Sequence, residues 1–272
     1  METWFITGTS SGIGRLLTEE LLLRGDRVAA TLRTPETLND LKERFSDHLW
    51  VSALDVRIAD DVRRVVDRAA GELGHIDVVV NNAGYGLFGA AEELADVQIE
   101  RLVETNLIGS MNVVRAVLPH LRSQERGRIV QISSEGGQTT YPGFAAYHAT
   151  KWGIEGFVEA VAREVAPFGI SCNIVEFGPT ATNFGTSLVQ GEPMAAYAET
   201  PVGELRRSFA AGTSFTVRDD PRDVVAQIIS RVGANVDLRI VIGEYAYKRI
   251  HDSLERRLAE IDDRTVSQQP GH

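Results

Sequence analysis

The chain has 272 residues, 43% of them hydrophobic, and a net charge of -10, which is enough apolar content for a substantial core in one large α/β domain. The acidic balance works against nucleic acid or an anionic membrane surface as the main partner, since both repel the surface as a whole. Cys172 is the only cysteine and the six histidines are scattered without ligand spacing, so neither an intrachain disulfide nor a metal site is expected.

Trp4-Phe5-Ile6 is too short an apolar run for a signal peptide, and no stretch approaches the ~18 apolar residues of a membrane span. A soluble, cytoplasmic protein is the expectation. Residues 4–7 read as a strand, and Thr7-Gly8-Thr9-Ser10-Ser11-Gly12-Ile13-Gly14 as a glycine-rich turn. The helix that follows carries Ile13, Leu16, Leu17 and Leu21 on one face and ends at Gly25. Glycines let the backbone turn tightly and admit a phosphate to the helix N-terminus, where free N–H groups and the dipole favour negative charge. The spacing is Gly-x-x-x-Gly-x-Gly, not Gly-x-Gly-x-x-Gly, so by itself it fits either a phosphate-binding turn or a purely structural one.

A second strand over residues 27–32 ends at Leu32-Arg33. A carboxylate at position 32 would hold a ribose 2'-hydroxyl; here it is missing, and the guanidinium of Arg33, beside its place, suits a 2'-phosphate unless it is only a solvated loop residue. Thr34-Pro35 opens a polar helix to Phe45, residues 49–53 form strand three with Asp55-Val56 at its end, and residues 58–73 form a helix. Strand four, residues 76–80, runs into Asn81-Asn82-Ala83-Gly84. Short, nearly unbroken apolar strands alternating with helices predict a parallel sheet covered on both faces, with ligands beyond the strands' carboxyl ends.

A long helix is expected over 96–122, with Asn106 either a surface residue or a functional one, because asparagine has no capping task in a helix interior. Strand five, 128–133, leads to Ser133-Ser134, and a helix follows with Tyr147-His148-Ala149-Thr150-Lys151. Tyr147 and Lys151 stand at i and i+4, on one helix face, where an ammonium favours the phenolate and lowers a pKa that starts near ~10, although the short pattern by itself fits an exposed pair on a solvated helix as well. Strand six, 170–177, holds Cys172 as a buried, inert residue and leads into Gly178-Pro179-Thr180-Ala181-Thr182. Residues 183–216 lack periodicity and read as a substrate lid in preference to a plain linker. A helix from Pro221, a strand over 239–242 and a charged helix over 244–261 complete a single domain of residues 1–262, and a polar, disordered tail is expected from 263.

Thr7-Gly8-x-x-x-Gly12-Ile13-Gly14, Asn81-Asn82-Ala83-Gly84, Asn106, Ser134 and Tyr147-x-x-x-Lys151, in this order, resemble the short-chain dehydrogenase/reductase family over residues 3–250. The resemblance implies a Rossmann-type, doubly wound parallel sheet of about seven strands with helices on both faces. It implies a nicotinamide dinucleotide along the carboxyl edge, with Gly8, Ser10, Ser11, Gly12, Ile13 and Gly14 at the pyrophosphate and adenosine side. Asp55 and Val56 would meet the adenine, Asn82, Ala83 and Gly84 the middle of the cofactor, and Gly178, Thr180 and Thr182 its nicotinamide end. Tyr147 would be the acid/base, Ser134 rather than Ser133 would donate to the substrate oxygen, Lys151 would lower the tyrosine pKa and hold the ribose, and Asn106 would order a relay water.

With Arg33, the expectation is a reductase of ketones or aldehydes, equally an alcohol dehydrogenase in reverse, preferring NADP(H) to NAD(H). Its small-molecule substrate would be lipophilic, as in relatives with a C-terminal extension, and its long helices would pair in a homodimer or homotetramer. A regulator without turnover, or a dehydratase or epimerase, are the rival expectations. Two departures from the family stand out: Phe177-Gly178 replaces Pro-Gly, the proline coming only at Pro179, and Glu135 follows Ser134 directly. Glu135 is expected to face solvent, or otherwise to select a polar or cationic substrate group.

Overall fold

The computed structural model describes residues 1–182, 188–213, 219–234 and 237–267. Its framework is seven strands: β1 Thr3–Thr7, β2 Arg27–Leu32, β3 Leu49–Ala53, β4 Val78–Asn81, β5 Gly127–Ile132, β6 Ile170–Phe177 and β7 Arg239–Ile242. They form one parallel sheet in the order β3-β2-β1-β4-β5-β6-β7, with Ile6 of β1 opposite both Ala30 and Val80. Strand order reverses between β1 and β4, and at such a switch point the flanking loops diverge and leave a crevice beyond the carboxyl ends.

The helices are α1 Gly12–Leu23, α2 Asn39–Arg44, α3 Ala59–Leu73, α4 Asp96–Val103, α5 Ser110–Gln124, α6 Ala145–Val165, α7 Pro201–Ala210, α8 Pro221–Ala234 and α9 Glu244–Ser267. Side chains alternate along β1, so Trp4 and Ile6 join one core with α1 and α8 residues while Phe5 joins the other with α3, α5 and α6 residues. Both faces are therefore dry, which is why the strands lack polar alternation. Among the described residues no helix is long and apolar enough to cross a membrane.

Four expectations need correction. The helix expected over 96–122 runs without a break from α4 into α5, but not as a regular α-helix: a π-helical turn, Glu104–Gly109, joins the two and carries Asn106 inward, 3% exposed. Such turns insert a residue into the helical ladder and reorient the side chains around it. Residues 34–45 form a 3-10 turn, Pro35–Leu38, before the short α2. The segment 188–213 is more ordered in pattern than its sequence suggests, with Val189–Gln190 paired to Leu87–Phe88 and α7 behind it, whereas 183–187 and 214–216 lie outside the described residues. Finally, α9 continues to Ser267, past the expected start of the tail, and 268–272 lie outside the described residues.

Candidate active site

The ends of β1 and β4 are locked together by Thr7 and Asn82. Thr7 Oγ1 accepts the backbone N–H groups of Asn82 and Ala83, each at 3.0 Å, and Asn82 Nδ2 donates to the carbonyls of Thr7 at 2.9 Å and Gly8 at 3.0 Å. Gly8 has φ +73, and a Cβ there would lie 2.8 Å from Ala83 Cα. At Gly14 it would lie 2.4 Å from both Gly8 O and Asn82 Nδ2, so neither position admits a side chain. Asn82 thus acts on the turn, and the side chain of Ile13 packs into the core, leaving only its backbone for a ligand.

Beyond this clamp Ser10, Ser11 and Gly12 face Ala181 and Thr182 across a cleft of about 420 Å³. The Ser11 side chain does not cap α1, whose first turn holds no acidic residue, and the positive helix end lies beside the cleft. Thr180 Oγ1 donates to Gly178 O at 3.1 Å, and the Tyr245 ring of α9 packs so closely that a Cβ on Gly178 would lie 2.9 Å from it. Phe177, where the family has proline, ends β6 and packs on the core.

At the other edge Arg33 is exposed at the end of β2, while Leu32 is 3% exposed and belongs to the core. The Leu32 side chain packs inward, which leaves Arg33 as the exposed side chain at this strand end. Asp55 accepts hydrogen bonds from Arg57 on both oxygens, at 2.6 to 3.1 Å, and this partner holds its pKa below the usual carboxylate value against the opposing effect of burial. Val56 is buried against Gly109, and its carbonyl accepts Asn112 Nδ2 at 3.1 Å.

At the centre, β5 ends in two serines that face opposite ways. Ser133 Oγ donates to the buried Glu155 at 2.5 Å, which is bound in turn by Arg239 at 2.5 Å. Ser134 turns to the cleft side, where its hydroxyl is hydrogen-bonded to Tyr147 and donates to Glu135 Oε2 at 2.6 Å. Burial is the largest influence on the Tyr147 phenol and raises its pKa, the Glu135 carboxylate adds to this, and the Ser134 bond opposes it. Lys151 Nζ lies 5.7 Å from the Tyr147 ring centroid and donates to Ile132 O at 3.0 Å. Burial pushes the Lys151 ammonium down to about 8, against the pull of Glu155. Burial and the Glu135 carboxylate thus favour the neutral phenol at Tyr147.

The π-helical turn makes Asn106 a fastener. Its Oδ1 accepts Tyr85 N–H at 3.1 Å, and its Nδ2 donates to Tyr85 O at 2.9 Å and Thr150 Oγ1 at 3.4 Å. It joins the loop after β4 to α6 one residue from Lys151, and a Cβ on Gly84 would lie 3.1 Å from Asn106 Oδ1. Cys172 is buried in β6 with its thiol pushed up to about 12 by burial, hence inert.

Glu135 corrects the sequence reading most sharply, because it is 3% exposed and does not face solvent. The chain turns there into a 3-10 turn, Glu135–Gly137, covered by α9, and the carboxyl group is enclosed by Ser134 and the hydroxyl of Tyr141. Burial raises its pKa against those hydrogen bonds. Thr7, Arg57, Tyr141 and the α9 contacts were also missed; only the charge of Arg57 next to Asp55 gave any signal.

Above Tyr147 an apolar cluster is built from Phe88, Leu102, Phe144 and Val202, with Tyr197 and Phe209 packed against it. The rings of Phe144 and Tyr147 meet edge-on at 6.1 Å. Glu93 ties segment 188–213 to this wall: its buried carboxylate accepts Ala90 N–H at 2.7 Å, Met194 N–H at 2.9 Å and Arg206 Nη2 at 2.5 Å.

A model of the short chain dehydrogenase family matches residues 2–193. The chain belongs to that family. It is 36% identical over 252 residues to oxidoreductase BOA17 of Botryotinia fuckeliana, covering 90% of this chain and 91% of that one. A short-chain dehydrogenase from Streptomyces avermitilis has the same fold at a TM-score of 0.90 and 36% identity, over 98% of this dehydrogenase and 97% of that chain. A variant of actinorhodin polyketide ketoreductase solved with NADPH matches at 0.74 and 28% identity, over 89% and 95% of the two chains. The protein is an oxidoreductase of this family, for which a nicotinamide cofactor is expected.

Proposed function

We propose that this dehydrogenase interconverts a lipophilic ketone or aldehyde with its alcohol and prefers NADP(H). The observation that carries the reading is the convergence of the Ser134 and Tyr147 hydroxyls at the foot of the aromatic cluster, with Lys151 alongside. A bound nicotinamide supplies the hydride exchange. The positive start of α1 and the cleft beside Ser10, Ser11, Gly12 and Thr182 suit its pyrophosphate, and exposed Arg33 suits a 2'-phosphate. The NADPH found with the polyketide ketoreductase supports the same cofactor form.

In reduction Tyr147, protonated as the protein holds it, gives its proton to the substrate oxygen, and in oxidation it takes one back. Ser134 donates to the oxygen as its charge develops, and a donor aimed there strengthens in the transition state. Lys151 places an ammonium beside the phenol, which eases loss of its proton, while Asn106 fixes α6 against the loop after β4. Residues 188–213 act as a lid, in which Val202 and Phe209 join the wall around Tyr147 and exclude water. An NADPH-consumption screen over aldehydes, cyclic ketones and acyl thioesters tests the reading. Turnover of apolar carbonyls is expected. Tight NADPH binding without consumption of any of them would favour a regulator, and product formation without net consumption a dehydratase or epimerase.

A further inference from the structure

The buried carboxyl group beside Ser134 has no task in the chemistry above, yet it touches the one hydroxyl whose direction matters. Ser134 Oγ has one proton and two lone pairs. One lone pair takes the Gly136 N–H at 3.1 Å; Glu135 Oε2 lies 2.6 Å away, and Tyr147 is the third neighbour. If Glu135 is ionised it can only accept, so the Ser134 proton is drawn to it. The remaining lone pair then accepts from Tyr147, and both protons that the substrate oxygen needs point elsewhere. If Glu135 is protonated, its O–H fills that second lone pair. Ser134 must then direct its own proton outward, and Tyr147 can no longer donate to Ser134.

On the active-site reading above, we propose that Glu135 is a positioning residue which, when protonated, turns the Ser134 and Tyr147 protons toward the substrate oxygen and, when ionised, turns them away. The surroundings favour the protonated form. Burial raises the Glu135 pKa, and among the described residues Glu135 makes no ion pair. On its own loop Tyr141 donates to Oε1 and opposes that rise. From α6 come Tyr147, Lys151 and His148, and the imidazole is neutral: its Nε2 accepts Tyr141 N–H at 2.9 Å, its Nδ1 donates to Gly136 O at 2.8 Å, and burial lowers its pKa. Behind the turn stand Glu155 and Glu176, the latter reached by Gln138 at 2.7 Å. From α9, Tyr245 acts on Tyr141, and Arg249 lies over the Tyr141 ring, 4.8 Å from its centroid.

A carboxylic acid with a raised pKa is active below it and loses the arrangement as pH rises through it. Reduction should therefore carry an alkaline limb in kcat, with the ionised form slower by about tenfold to hundredfold, somewhat less than full removal of an oxyanion donor. Glutamine reproduces the protonated form permanently, its amide N–H₂ toward Ser134 and its oxygen toward Tyr141. Profiles of kcat against pH at saturating NADPH should show that Glu135→Gln lacks the lower alkaline limb and outpaces wild type on the alkaline side. Glu135→Leu should be slow throughout. Tyr141→Phe, which removes a donor that stabilises the carboxylate, should move the limb to higher pH. In ligand-free protein, the infrared C=O band of a protonated carboxyl, absent from Glu135→Gln, should titrate with the limb. A Glu135→Gln profile superimposable on wild type, or a Tyr141→Phe limb that stays in place or falls, overturns this inference alone. Undiminished reduction by Tyr147→Phe would instead overturn the active-site reading beneath it.

Discussion

Replacing Arg33 by alanine should separate the two nicotinamide cofactors. The side chain is exposed and, among the described residues, makes no ion pair, so its removal breaks nothing in the fold. Asp55 on that edge is held first by its hydrogen-bonded pairing with Arg57, and the attraction of Arg33 on it is the weaker one. A charge-assisted hydrogen bond to a phosphate is worth roughly 1.5 to 3 kcal/mol, or about a tenfold to hundredfold change in affinity. Dissociation constants from fluorescence titration should therefore rise by that factor for NADPH in Arg33→Ala and stay within about twofold for NADH. The wild-type preference should also shrink with salt, because the Debye length falls from about 10 Å at 0.1 M to about 3 Å at 1 M. Since Leu32 packs in the core, an aspartate there would bury a charge and destabilise β2, so Arg33→Asp is the variant to reverse the preference. Wild type binding NADH as tightly as NADPH, or Arg33→Ala weakening both alike, would refute the argument. A larger loss in Arg57→Ala would move the phosphate to that arginine.

The two serines should part by phenotype. Ser134→Ala should lower kcat by about 10²- to 10³-fold with NADPH affinity kept, whereas Ser133→Ala removes a partner of Glu155 and should cost about 1 kcal/mol in a thermal melt; a slower Ser133→Ala would exchange their roles. Glu93→Gln loosens the attachment of 188–213 to the pocket wall and should raise KM for apolar substrates while leaving the NADPH dissociation constant unchanged, and an equal loss of cofactor binding would assign the segment to the core. The exposed side chains Val97, Ile108 and Trp152, on α4, the π-helical turn and α6, fit the homo-oligomer expected from these helices, and light scattering at micromolar concentration should give a dimer or tetramer, a monomer contradicting it.

The sheet was legible because each strand's apolar run is short and unbroken and each chemical motif sits where a strand ends. The same logic set Ser134 beyond a strand end, while the expected roles of Ser134, Tyr147 and Lys151 came from the family resemblance and not from their spacing alone. Residues whose role depends on contacts distant in sequence were not legible. Thr7 reads as the last residue of a strand, yet it accepts two N–H groups 75 and 76 residues away. Glu135 reads as an exposed loop charge because carboxylates seldom lie inside unless partnered, and its cover, Tyr141 and α9, cannot be inferred from local pattern. Asn106 stood out as an odd helix residue, but only the π-helical turn explains how it reaches Tyr85 and Thr150. Leu32 shows the converse, since matching by position alone placed beside the ribose a side chain that the pleat turns into the core.

The acid/base assignment of Tyr147 is the central claim, and Tyr147→Phe tests it by removing one oxygen from a ring that keeps its packing against Phe144. Stopped-flow reduction of an apolar ketone, paired with an NADPH titration, should give a rate lowered by about 10²- to 10⁴-fold and a dissociation constant within about twofold of wild type. A variant that reduces the ketone at half the wild-type rate or faster would contradict it.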